Sequence, residues 1–196
     1  MTHMHSAEFF DRKEHLAILT KRVSALKDGY RQNIAIIGDE QAGKTSLVHA
    51  FLNSFLDSRF VMLYVEARPE TLSHFCRRFI GILLYNFLAG AGIPLKEDLE
   101  FLIEKSSVYI PKTAARIRQI LADVERRKKE NVFSELLSLP GLVNLETGKF
   151  CVVIIDEFLN LEGLGVRSLY KEWAQRLLVE KTTLYVVQPQ STGLPG

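Results

Sequence analysis

Residues 34–45 read IAIIGDEQAGKT. Ile34 to Ile37 form a short apolar run without a polar break, as expected of a strand covered on both faces. Gly38 stops the run, Asp39, Glu40, Gln41 and Ala42 follow, and then come Gly43, Lys44 and Thr45. The next stretch, SLVHAFLNSFL, has helical spacing of its apolar residues, so the loop joins a strand to a helix. Glycines allow the backbone to curl until successive N–H groups face one point. The first turn of the helix adds unpaired N–H groups and the positive end of its dipole. Such a corner suits an anion, and Lys44 brings a full positive charge to it.

The spacing is G-x-x-x-x-G-K-[ST], the phosphate-binding P-loop, in its required setting between a strand and a helix. On this reading Gly38 to Ser46 cradle the phosphates of a nucleoside triphosphate. Lys44 serves the β- and γ-phosphates, and the Thr45 hydroxyl completes the coordination of Mg²⁺. The competing reading is a glycine-containing strand–helix turn of another α/β protein.

A second segment supplies what a phosphate cradle lacks. FCVVIIDEF (150–158) is an apolar strand that delivers Asp156 and Glu157 at its carboxyl end, where ligands of open α/β sheets sit. Asp156 is expected to hold Mg²⁺ through water, and Glu157 to orient and polarise an attacking water as a base. Taken alone, an Asp-Glu pair after a strand also fits a helix cap with a first-turn carboxylate.

The 196 residues suffice for one domain with a well-formed core. Lys and Arg number 25 against 23 Asp and Glu, a net charge of +2 that by itself makes no case for nucleic acid. No apolar run reaches the roughly 20 residues of a membrane span, and MTHMHSAEFF has no apolar signal core. His3 and His5 read as a disordered start, not a metal site. Cys76 and Cys151 lie in apolar segments without metal-ligand spacing, as small buried hydrophobes of a reducing cytosol do. A cytoplasmic protein with no membrane partner is expected.

Four apolar strands alternate with helices, which predicts an α/β domain of three layers with a mostly parallel sheet. Asp11 reads as the cap of a first helix carrying Leu16, Leu19, Val23 and Leu26, ended at Asp28-Gly29. The other strands are expected at 59–67, 149–155 and 182–188, and a helix at 168–179. Between the second and third strands, about 69–148 shows no strand signal. It reads as a helical insertion in the same domain, with helices near 69–88, 95–106, 112–130 and 132–139.

The two motifs, in this order, resemble the Walker A and Walker B boxes of P-loop ATPases. The pair Asp156-Glu157 resembles the branch with an added catalytic glutamate, which includes AAA+ and STAND proteins. FFDRKEHLAIL resembles the "F-x-(D/G)-R-x-x-E-L" box that opens archaeal-type ATPase domains of the STAND and origin-recognition-like group. Phe10, Asp11, Arg12 and Leu16 match it, while His15 stands at the usual glutamate and Glu14 one place early. The resemblance implies ATP as the nucleotide and places Phe10, Asp11 and Arg12 near its adenine, against a plain helix cap as the alternative. It implies a polar sensor after the last strand, for which Gln188, Gln190 and Ser191 compete. It also implies that Glu66 or Arg68 touches the catalytic carboxylate. The family's fifth strand, helical lid and lid arginine are not seen by residue 196. The chain is therefore expected to be a fragment, or to borrow them from a partner, and to turn over slowly.

Two further features bear on partners. The helix read at 113–130 carries Arg116, Arg118, Arg126, Arg127, Lys128 and Lys129 off or beyond its apolar stripe. These form either a solvated face favoured by the helix dipole or a patch for DNA. Arg77, Arg78 and Arg167 are candidates for an arginine finger acting in trans. The functional expectation is an Mg-dependent ATPase. A second reading is a nucleotide-gated switch or scaffold in a signalling, defence or DNA-associated complex, in which ATP drives self-assembly or partner binding.

Overall fold

The computed structural model describes residues 5–39, 42–89, 95–126 and 131–189, with side chains from Arg12 onward. In chain order the elements are α1 (His5–Ala25), β1 (Ile34–Ala35), α2 (Lys44–Ser54), β2 (Phe60–Glu66) and α3 (Leu72–Ala89). Then come α4 (Leu99–Ser107), α5 (Pro111–Glu125), α6 (Val132–Thr147), β3 (Phe150–Asp156), α7 (Leu169–Val179) and β4 (Thr183–Val187). The strands lie in the order β1-β4-β3-β2, and every pairing is parallel. Expected architecture and sheet direction are both met.

The strand alternation sorts the core into two layers. Val152, Ile154, Leu184 and Val186 face α1 and α2, meeting Leu19, Val23, Val48 and Phe51. Cys151, Val153, Ile155 and Tyr185 face the other way, onto the helices α3 to α7. Trp173 anchors that second layer, edge-on to Tyr185 at 5.0 Å and to Phe158 at 5.2 Å between ring centroids. Such pairs add about 0.5–1.5 kcal/mol each to the burial itself. Cys76 and Cys151 are both buried and free, and burial pushes the Cys76 thiol up to about 12. Among the described residues no helix is long and apolar enough to cross a membrane.

Three expectations are corrected. β1 is not covered on both faces: Ile34 and Ile36 are half-buried against α1 and α2, but Ala35 is exposed and Ile37 is 81% exposed. The reason is position. β1 is an edge strand, and α7, whose Trp173 packs on β4, leaves Leu178 and Val179 near its end in solvent. Asp11 does not cap a helix, because α1 already begins at His5. The sixth helix does not stop before Pro140; it runs to Thr147 with the proline inside. An internal proline removes one helical hydrogen bond. Here Leu136, Leu137, Leu139 and Val143 are all buried, so packing on the sheet outweighs the broken turn.

The helix before it in the same layer shows how such packing is finished. α5 begins at Pro111 with no side-chain cap of its own. Glu146 of α6 supplies one from outside, accepting hydrogen bonds from Lys112 N (2.7 Å), Thr113 N (2.8 Å) and Thr113 Oγ1 (2.6 Å). Burial opposes its ionisation, but these bonds outweigh burial and hold the carboxyl below its usual range. At Gly141, a Cβ would lie 2.5 Å from Glu180 Oε2. Glu180 is itself buried, and its Oε1 accepts from Lys181 N, Thr182 N and Thr182 Oγ1.

Glu146→Gln should lower stability in urea at pH 7 by about 1 kcal/mol, the worth of a helix cap. Because the folded carboxyl sits below its unfolded value, this difference is fully present above the ordinary Glu range and disappears as pH falls through it. Gly141→Ala would gain up to about 1 kcal/mol from helix propensity alone. The crowding against Glu180 should reverse the sign, to a loss of about 1–3 kcal/mol in the same measurement.

Candidate functional site

The loop between β1 and α2 is folded around its own lysine. Lys44 Nζ donates to Gly38 O at 2.8 Å and to Asp39 O at 2.9 Å, and Ala42 N donates to Asp39 O at 3.1 Å. Gly43 caps α2 in the left-handed region, φ 75°. A side chain there would be strained by the backbone, and its Cβ would lie 2.7 Å from an Arg12 guanidinium nitrogen, so that the arginine would have to move aside. The first bond inside α2 runs from Leu47 N to Gly43 O. The amides of Lys44, Thr45 and Ser46 therefore point out of the helix end. Glu40 and Gln41 lie outside the described residues.

β3 brings the carboxylates to this corner. Asp156 is 5% exposed and sits opposite Glu66 in the parallel register. Its Oδ2 accepts from Thr45 Oγ1 at 2.9 Å and from the Tyr64 hydroxyl at 2.7 Å, and its Oδ1 accepts from Glu157 N at 2.9 Å. The bond to Thr45 joins the loop to the central strand. Burial, then the bond to Asp156, push the Tyr64 phenol upward, so it keeps its proton. Glu157 holds a left-handed backbone, φ 53° and ψ 40°, at the turn out of β3. A residue with a side chain holds this conformation at a cost of about 1–3 kcal/mol, a strain that clusters at functional sites. Phe158 N donates to Gln188 O at 3.0 Å and Gln188 N to Ile155 O at 2.9 Å, which ties this turn to the end of β4.

Gln188 is the sensor candidate that the structure places beside the loop. It is 1% exposed, and its Nε2 reaches Lys44 O at 3.5 Å. Among the described residues nothing bonds its buried Oε1. Gln190 and Ser191 lie outside the described residues, as does the side chain of Phe10. Arg12, by contrast, leans on Gly43. With His15, Ile36, Ile37, Ala42, Lys44 and Leu47 it lines a pocket of about 270 Å³ beside the loop.

Other expected contacts fall elsewhere. Glu66 and Arg68 form an ion pair with each other at 2.6 Å. Arg77 pairs with Glu125, and Arg78 with Glu70 and the carbonyl of Glu66. Arg167 is exposed. On α5, the stripe of Ala114, Ile117, Ile120 and Leu121 is buried and Arg116 lies 3.6 Å from Glu135. α5 ends at Glu125, and residues 127–130 of the basic run lie outside the described residues. A larger groove, about 680 Å³, is lined by residues of α3 and α4, including His74, Ile82, Tyr85 and Leu102. Those helices cover the opposite face of the sheet from α2.

Reasoning from sequence missed three residues of this corner. Tyr64 and His49, whose rings meet at 4.8 Å, fell inside a strand and a helix without being singled out, and His15 read as a departure from a motif. The signal for Tyr64 lay in the alternation of β2, two residues before Glu66 and so on one face with it.

Residues 9–188 match a family described as an ATPase domain found predominantly in Archaea. No curated protein and no solved structure matched the chain. With that match spanning most of its length over a parallel sheet of this order, the chain belongs to the archaeal-type ATPase domains, an α/β fold of the P-loop kind with ATPase-type nucleotide binding.

Proposed function

We propose that the chain binds Mg·ATP at the Gly38–Ser46 loop and hydrolyses it, and that residues 1–196 form one domain of this kind with α3 to α6 inserted between β2 and β3. The observation that carries the reading is the bond from Thr45 Oγ1 to Asp156 Oδ2, which brings a loop hydroxyl and a buried strand carboxylate to one point. That donor set fits magnesium. Among the described residues no three His, Cys, Asp or Glu side chains converge. An ion here would be held by the Thr45 hydroxyl, phosphate oxygens and water, with Asp156 reached through that water, the coordination magnesium accepts. When bound, it neutralises charge on the phosphates.

The rest is work of the chain. The amides of the loop and of the first turn of α2, with Lys44, bind the β- and γ-phosphates. In doing so Lys44 exchanges the carbonyls of Gly38 and Asp39 for phosphate oxygens. Asp156 orients the metal's water shell. Glu157 sits one residue further on, at the mouth of the same strand, and takes the proton of the attacking water. Gln188 directs its amide toward the γ-phosphate side of the loop. Arg12, His15, Ile36, Ile37 and Leu47 hold the base and ribose in the adjoining pocket.

A second reading, a nucleotide-gated switch or scaffold in the cytoplasm, is favoured by one observation. Among the described residues the strand that feeds the loop lies at an edge of the sheet, and Ile37, next to Gly38, is 81% exposed. A protein partner or second copy pairing there touches the nucleotide loop directly.

Lys44→Ala should weaken ATP binding by at least about tenfold in calorimetry, the loss of a charge-assisted contact. Glu157→Gln should keep binding and lose about 10²–10⁴ in turnover. Equal turnover in wild type and Glu157→Gln would remove the base assignment. For the switch, size-exclusion chromatography should show a mass increase with a non-hydrolysable ATP analogue, and an Ile37→Lys variant should abolish it; an unchanged monomer peak argues for the plain enzyme.

A further inference from the structure

We infer that Tyr64 is a positioning residue for the metal-facing carboxylate of Asp156, and so sets the magnesium affinity of the site. The inference rests on the Mg·ATP reading above. Its geometry does not. Asp156 receives three donors: Thr45 Oγ1 and the Tyr64 hydroxyl on Oδ2, and Glu157 N on Oδ1. A carboxylate rotates easily about its last bond, where the torsion is broad. Donors on both oxygens fix that rotation. The shorter bond to Oδ2 is the one from Tyr64, 2.7 Å against 2.9 Å from Thr45.

The consequence reaches Thr45. A hydroxyl has one proton and two lone pairs. Thr45 gives its proton to Asp156, so its lone pairs face away from the carboxylate and are free of that bond. If Asp156 turned, Thr45 would follow or lose its partner, and the hydroxyl and carboxylate that would face the metal would be misplaced together. Tyr64 prevents this from a rigid base. Its backbone is paired in register with Ile154, and its ring meets the His49 ring of α2 at 4.8 Å and 48°. The phenol is thus clamped between a strand and the helix that carries Thr45. A phenylalanine would fill the same space and make the same ring contact; only the hydroxyl reaches Asp156. Groups that orient a metal ligand from behind typically change metal affinity by about 10–100-fold when removed.

The test is calorimetric titration of ATP into wild type and Tyr64→Phe, first in EDTA and then across a magnesium series, with thermal melts of both proteins. The expected result is equal ATP affinity in EDTA, to within about twofold, and a magnesium concentration for half-effect raised about tenfold in the variant. A His49→Ala variant, which keeps the hydroxyl but loosens the ring, should move the magnesium midpoint in the same direction by less. If Tyr64→Phe lowers the melting temperature but leaves the magnesium midpoint unchanged, Tyr64 only satisfies a buried carboxylate and the inference falls. If wild type binds ATP with no response to magnesium, the inference falls while ATP binding stands. If wild type binds no ATP at all, the functional reading falls with it.

Discussion

The central strand β3 carries the molecule. It pairs with β2 from Phe60↔Phe150 to Glu66↔Asp156 and with β4 from Cys151↔Thr183 to Ile155↔Val187. It is buried from Cys151 to Asp156. A strand paired on both sides and covered on both faces has no freedom to slip, because a shift of one residue would move every apolar side chain to the wrong layer. That rigidity is what allows a carboxylate to be held 5% exposed at its end. Burying a charge is costly unless donors meet it, and Asp156 is met by a loop hydroxyl, a phenol and a backbone amide.

From this strand the layers follow. The α2 side is small and carries the loop. The opposite side is large and is built from α3 to α7, with Trp173 and Phe133 among the rings at its centre. Thr45, Tyr64, Asp156 and Gln188 stand on the thin side, while the thick side holds most of the buried apolar residues. Glu146 capping α5 and Glu180 seated over Gly141 are devices of the thick side. At the loop, strain is tolerated instead: Glu157 holds a left-handed backbone, and Gln188 Oε1 is buried with nothing bonded to it among the described residues.

Much of the site was legible because its parts are local. The spacing from Gly38 to Thr45 states a loop geometry by itself, since glycine positions and a helix start are short-range properties. Asp156 and Glu157 were legible because an apolar run that ends in two acids places them at a strand end, although Asp156 is itself buried there. Pro140 misled for the same local reason. A proline breaks an isolated helix, and only contact with the sheet shows that this one continues. Asp11 misled in the opposite sense, as a residue with the chemistry of a cap but a place inside α1.

The amino-acid order alone therefore determined that strands alternate with helices, that a glycine-bounded turn carrying a lysine follows the first strand, and that two acidic residues come at the end of the third. These depend on periodicity and on neighbours a few residues apart. Only the tertiary structure decided that β1 lies at an edge with Ile37 in solvent, that Thr45 and Asp156 share a hydrogen bond, and that Tyr64 and Gln188 reach the same corner. Those facts depend on strand order and on the register between segments far apart in the chain. A run of apolar residues reads the same at the centre of a sheet as at its edge, so no local pattern could state them.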